Sequence, residues 1–160
     1  MQDLIPRAHK IAAVLVARHE TITIAESSTG GLISAALLGI PGASAYFLGG
    51  SVVYTLKARR ELLGLADDAF KGIRTVTEQA ALILGRAARE RLSANWSIAE
   101  IGVAGPTGSR YGDPPGHSCI AVVGNSIERS LTVETSSADR LSNMNAFAAT
   151  ALDLLADAMK

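Results

Sequence analysis

The sequence predicts a layered α/β domain with a mixed sheet, and three observations carry that expectation. β-Branched runs alternate with helical apolar patterns along the early chain, and two strand-like segments joined at Gly124-Asn125-Ser126 close the run as a hairpin. The composition, 48% hydrophobic and 19% charged over 160 residues, suits one domain spanning 1–160 with a proper core.

Taken in order, residues 3–18 place Leu4, Ala8, Ile11 and Leu15 on one helix face, until Arg18-His19-Glu20 breaks the pattern. Thr21-Ile22-Thr23-Ile24 opens a strand over about 21–25, and Gly30-Gly31 turns it into a helix reaching about Leu38. Gly39-Ile40-Pro41-Gly42 is turn chemistry. Tyr46-Phe47-Leu48 and Ser51-Val52-Val53-Tyr54 read as strand interrupted by Gly49-Gly50, where a bulge or a close approach is expected. A short helix from Lys57 to Leu63 stops at Gly64, and 66–76 reads as loop. Thr77-Glu78 starts a long helix with Ala80, Ala81, Leu84, Ala88 and Leu92 inward. A strand over 96–103 leads into a glycine- and proline-rich loop, 104–116, and then into the hairpin strands 117–123 and 127–134. Ser137 or Asp139 caps a terminal helix whose apolar side holds Leu141, Met144, Phe147, Ala151, Leu154 and Met159. No repeat, linker or low-complexity tract interrupts the pattern.

Several function classes are disfavoured. Fifteen basic residues balance fifteen acidic ones and aromatics are few, so neither charge nor stacking surface points to nucleic acid. No apolar run reaches bilayer length, and the start Met1-Gln2-Asp3-Leu4 lacks the order of a signal peptide. With one cysteine, Cys119, the expected location is the cytoplasm. His9, His19 and His117 are scattered without ligand spacing, so no metal is expected, and phosphate-loop and dinucleotide fingerprints are absent.

Three loops at strand ends are rich in small and polar groups: 25–31, 49–59 and 104–116. In a mostly parallel sheet, ligands sit beyond the carboxyl ends of the strands. Convergence there would gather Ser27, Ser28 and Thr29 with Tyr54, Lys57, Arg59 and Thr107: hydroxyl nucleophiles, a phenol and cations. The first-turn N–H groups after Gly30-Gly31 would favour an anion. The same hydroxyls serve equally as helix caps, so the pattern leaves capping and chemistry both open.

Ala25-Glu26-Ser27-Ser28-Thr29-Gly30-Gly31 resembles the Ala-Glu-Ser-Cys-Thr-Gly-Gly motif of the CinA C-terminal domain family, which includes stand-alone nicotinamide mononucleotide amidohydrolases. The likeness continues through 41–50, Val53-Tyr54, Leu62-Leu63-Gly64, Val76-Thr77-Glu78 and 102–108. It implies a three-layer α/β/α fold and hydrolysis of the carboxamide of nicotinamide mononucleotide to nicotinic acid mononucleotide and ammonia, with no cofactor. By the resemblance Ser27 is the nucleophile, Tyr54 the family tyrosine, and Ser28 stands where many members have cysteine. Thr107 and Arg140 become candidate ribose-phosphate contacts, while Ser28, Thr29, Gly30, Gly31, Gly49 and Gly50 are expected to border the substrate. A homo-oligomer is expected because several helices carry apolar faces.

The pattern departs at one position: the family's lysine five residues after the tyrosine is Arg59 here. A guanidinium stays protonated and cannot accept the serine proton. Lys57 replaces it only if the helix starts irregularly; otherwise Tyr54, with Arg59 and Lys57 favouring its phenolate, is left as base. Met144 and Ser109 also differ from the pattern. The alternative is a nucleotide-binding module of the same fold that has lost turnover.

Overall fold

Five strands form one mixed sheet in the computed structural model, which describes residues 1–66 and 68–160. The strands are β1 (Ile22–Glu26), β2 (Phe47–Val52), β3 (Trp96–Val103), β4 (His117–Val123) and β5 (Glu128–Glu134), in the order β2-β1-β3-β4-β5. β1 is parallel to both β2 and β3, whereas β4 runs antiparallel to β3 and β5 antiparallel to β4. The helices are α1 (Ile5–Arg18), α2 (Leu32–Leu38), α3 (Leu56–Leu63), α4 (Glu78–Leu92) and α5 (Arg140–Ala158).

Strand alternation sends side chains to two cores. Ile22, Ile24, Ile98, Ile120 and Val122 pack against α1, α2 and α5, while Ala25, Ala99, Ile101, Cys119 and Ala121 face Leu63 of α3 and Ala81, Leu84 and Ala88 of α4. A sheet covered on both faces explains why β1 is buried along its whole length. The result is a three-layer α/β/α fold.

The chain leaves central β1 for β2 on one side and returns, through α3 and α4, to β3 on the other. That reversal opens a crevice beyond the carboxyl ends of β1 and β3, where loops 27–31 and 104–116 meet.

Several expectations need correction. Gly49-Gly50 does not interrupt the strand: β2 runs through both, paired with Thr23 and Ile24. The register shift falls one step earlier, between Ile22 and Thr23, and leaves Leu48 outside the paired register. The close approach is by side chains, since a Cβ on Gly49 would lie 3.1 Å from Leu92 Cδ1 and one on Gly50 would meet Ser34. Leu92 is exposed at the last turn of α4, and buried Gly85 takes a place in the inward stripe. Leu141 is 75% exposed because the first turn of α5 projects past the sheet; Asn143 is the buried residue there. Asn143 donates from Nδ2 to Ala104 O (2.9 Å) and Ser137 O (2.8 Å), tying α5 to the loops before it. Asp139, not Ser137, caps α5 by accepting from Ser142 N at 2.7 Å. Of the loop read over 66–76, residue 67 lies outside the described residues. No helix among the described residues is long and apolar enough to cross a membrane.

Candidate active site

The polar turn after β1 is built around two carboxylates with no solvent exposure, Glu26 and Glu100. Glu26 ends β1, and the chain doubles back through Gly30 (φ 64°) and Gly31 (φ 103°), a left-handed pair that a side chain would strain. This brings the start of α2 over the Glu26 carboxylate. Glu26 accepts from Gly31 N (3.0 Å), Ile33 N (3.0 Å), Ser34 N (2.8 Å), Ser34 Oγ (2.6 Å) and Thr29 Oγ1 (2.8 Å). The N–H groups expected to attract an anion are therefore capped by the chain's own carboxylate. They are not open to a ligand.

Glu100 sits in the middle of β3 and serves the other side of the turn. Its Oε2 accepts from Ser27 N (3.1 Å), Thr29 N (2.9 Å) and Thr29 Oγ1 (3.1 Å). Its Oε1 accepts from Ser28 Oγ and from Ser118 Oγ (2.9 Å). Gly102 makes room for this cluster: a Cβ there would lie 2.6 Å from Ser118 Oγ and 2.7 Å from Ser28 Oγ. Sequence reading passed over Glu100. The available signal was a single acid inside Ile98-Ala99-Glu100-Ile101, a strand run otherwise apolar, where a charge must find partners inside.

Arg59 is buried, at 5% exposure, on α3. Its Nε donates to Val53 O (3.3 Å), its guanidinium lies 5.6 Å from the Phe70 ring centroid, and buried Nη1 has no partner among the described residues. Burial pulls its pKa below the ordinary value, opposed by the charges of Tyr111 and Glu100. Lys57 is exposed, and Thr55 caps α3 regularly through Ala58 N (3.1 Å), so the irregular start that Lys57 would require is not present.

Loop 104–116 is held in place from within. Ser109 Oγ donates to Asp113 Oδ2 (2.7 Å) and accepts from Asp113 N (3.1 Å), while buried Asp113 pairs with Arg74. Arg140 Nη1 donates to Gly105 O at 2.6 Å, holding an exposed guanidinium over the loop.

Between these parts lies a cavity of about 270 Å³ lined by Ser28, Tyr54, Thr107, Ser109, Tyr111 and Arg140, among others. It is close to the lower end of small-molecule sites, roughly 300–1,000 Å³. Tyr54 is 58% exposed, at its rim. Of the expected residues, the cavity thus gathers Ser28, Tyr54, Thr107 and Arg140. Ser27 is buried beside it without lining it, and Ser27 Oγ has no hydrogen-bond partner among the described residues. Thr29 lies beneath, bound to both carboxylates. Gly49 and Gly50 line a different, more apolar hollow with Leu62 and Leu92, and Arg59 and Lys57 do not line the cavity. Met144 packs beside Gly30, whose Cβ would lie 3.2 Å from Met144 Cε. No group of three or more His, Cys, Asp or Glu among the described residues could hold a metal ion. Cys119 is buried, and burial raises its thiol pKa, away from the reactive thiolate.

The family model of the CinA C-terminal domain matches residues 5–159. A CinA-like protein of Prochlorococcus marinus (strain MIT 9313) is 41% identical over 117 residues, 73% of this chain and 27% of that protein. A CinA-like protein of Desulforapulum autotrophicum is 33% identical over 146 residues, 91% of this chain and 34% of that protein. The chain spans about a quarter to a third of the length of these curated relatives. Among solved structures, the competence/damage inducible protein CihA from Agrobacterium tumefaciens superposes with a TM-score of 0.90 at 31% identity, covering 98% of this chain and 95% of that one. A CinA superfamily protein from Escherichia coli gives a TM-score of 0.89 at 25% identity, covering 97% and 91%. By residues matched and by fold, this chain belongs to the CinA C-terminal domain family.

Proposed function

We propose that the chain is a nicotinamide-nucleotide amidohydrolase, converting nicotinamide mononucleotide to nicotinic acid mononucleotide and ammonia. One observation supports this reading above the others: a single cavity is bordered by a hydroxyl of the 27–29 turn, the Tyr54 phenol and the Arg140 guanidinium. With the α2 N-terminus closed by Glu26, the substrate phosphate belongs at the Arg140 and Thr107 rim and the carboxamide toward the serine turn. A serine of the 27–28 pair attacks the amide carbon, Ser27 being the one the resemblance names. Ammonia leaves, and water releases the acid from the acyl-enzyme. The backbone donors near Gly31 are engaged by Glu26, so the oxyanion must draw on the field of Arg59 and on loop 104–108 instead. The same reading takes the protein to act as a homo-oligomer on a small molecule, without nucleic acid or membrane.

A second reading, a binding module without turnover, is favoured by Arg59 alone, a buried cation that cannot accept a proton where the family has lysine. Ammonia release from nicotinamide mononucleotide by the purified protein separates the two. Release that disappears in Ser27→Ala or Ser28→Ala supports the enzyme. Silence in the wild type, with release appearing in Arg59→Lys, supports the binding module.

A further inference from the structure

The geometry points to Ser28 and Glu100 as a nucleophile–base pair, an assignment that rests on the amidohydrolase reading for its substrate but not for its chemistry. Ser28 is the hydroxyl of the turn that borders the cavity, and it donates to Glu100 Oε1 in a short hydrogen bond. Ser27 Oγ has no acceptor among the described residues, and the Arg59 guanidinium cannot take a proton. A nucleophile needs an acceptor within hydrogen-bond reach, itself oriented by further contacts. Glu100 meets both conditions. Ser27 N and Thr29 N hold its Oε2, which leaves Oε1 turned to Ser28 and Ser118.

The surroundings also let Glu100 hold the transferred proton. Ser118 Oγ lies 2.9 Å from Glu100 Oε1 and 3.3 Å from Ile101 O. When Glu100 is protonated, the Ser118 hydroxyl can turn its hydrogen to Ile101 O and accept from the carboxyl group. Thr29 Oγ1 has a similar choice, with Glu26 Oε2 at 2.8 Å and Glu100 Oε2 at 3.1 Å. Neither change leaves a buried polar atom without a partner.

The step balances within the chain and the substrate. The Ser28 O–H bond breaks, its proton passes to Glu100 Oε1, and Oγ forms a bond to the amide carbon. The C–N bond then breaks, the nitrogen takes the proton from Glu100, and ammonia leaves. Water attacks the ester, giving one proton to Glu100, which returns it to Ser28 Oγ as the acid departs.

The test uses a fluorophosphonate probe on the purified wild-type chain, followed by peptide mapping. The expected result is an adduct on Ser28, with the labelling rate lowered about 100-fold or more in Glu100→Gln and at least about tenfold in Glu100→Asp. Thermal melting followed by circular dichroism shows whether each variant is folded, and the wild-type map needs no variant. An adduct on Ser27, no adduct, or unchanged labelling in a folded Glu100 variant overturns the pair. In the ammonia assay, Ser28→Ala is expected to lose at least about 10³-fold in kcat/KM, and a loss under about tenfold also overturns it. Labelling at Ser28 without ammonia from the wild type sinks the amidohydrolase reading and keeps the pair. Ammonia release with the label on Ser27 does the reverse.

Discussion

Replacing Gly102 with alanine tests whether the carboxylate cluster is as tightly built as its distances imply. The new methyl would lie 2.6 Å from Ser118 Oγ and 2.7 Å from both Ser118 Cβ and Ser28 Oγ, well inside van der Waals contact. Gly102 has an ordinary strand backbone conformation, so the effect is steric and not conformational. Ser118 has Ile101 O to fall back on, whereas Ser28 Oγ has Glu100 as its only partner among the described residues. One hydroxyl–carboxylate bond is then lost, about 1.5–3 kcal/mol. Crowding of a packed interior adds about 1–3 kcal/mol. The expected destabilisation is about 3–5 kcal/mol, or roughly 10 °C in Tm for a domain of this size. Urea unfolding measures it as a lowered midpoint at unchanged slope. Gly112→Ala is the control: its Cβ meets nothing within 4 Å and its φ is 92°, so it carries backbone strain without a clash. A Gly102→Ala protein within about 0.5 kcal/mol of wild type would refute the packing described around Glu100.

Glu26→Gln sets an amide NH2 against donors that need an acceptor and is expected to cost about 2–4 kcal/mol by urea unfolding; a neutral result would remove Glu26 as the cap of α2. Tyr46→Phe removes the bond from Tyr46 Oη to Leu37 O (2.6 Å), a loss of about 1 kcal/mol at neutral pH. Burial raises the Tyr46 phenol pKa, so its contribution is complete below the unfolded value of about 10 and is lost as pH rises through the folded one. The stability gap to Tyr46→Phe should therefore close in alkali, and a constant gap counts against the buried phenol. The Asp139 carboxylate is held below its ordinary range by the bond from Ser142 N. Its stabilisation is present above the unfolded value of about 3.9 and lost as pH falls through the folded one. Asp139→Ala should thus melt below wild type at pH 7 and alongside it at the acid end, and equal gaps at both ends would refute the cap.

Most of the fold was legible because its elements carry their own periodicity. The β-branched start of β1, the Thr77-Glu78 opening of α4 and the Gly124-Asn125-Ser126 hairpin all appear where local pattern puts them. The misplacements share one cause. Leu92 and Leu141 satisfy helical spacing, but each lies on an end turn that extends beyond the sheet, and spacing carries no information about where the neighbouring layer stops. The site was legible as a set of loops and not as a set of contacts. Nothing local tells Ser27 from Ser28, because the distinction depends on Glu100, 72 positions from Ser28 in the chain. Gly49 and Gly50 looked like a ligand approach because a missing side chain is equally consistent with a neighbour's presence, here Ser34 and Leu92.

The cap that Glu26 places on α2 separates folding from occupancy. Where a bound phosphate completes a helix start, the empty protein lacks part of its stability and the ligand supplies it by mass action. Here the three N–H groups at the start of α2 are satisfied from inside the covalent chain, at full effective concentration and with nothing to dissociate. The helix stands ready in the empty protein, and whatever enters the neighbouring cavity meets a surface already assembled.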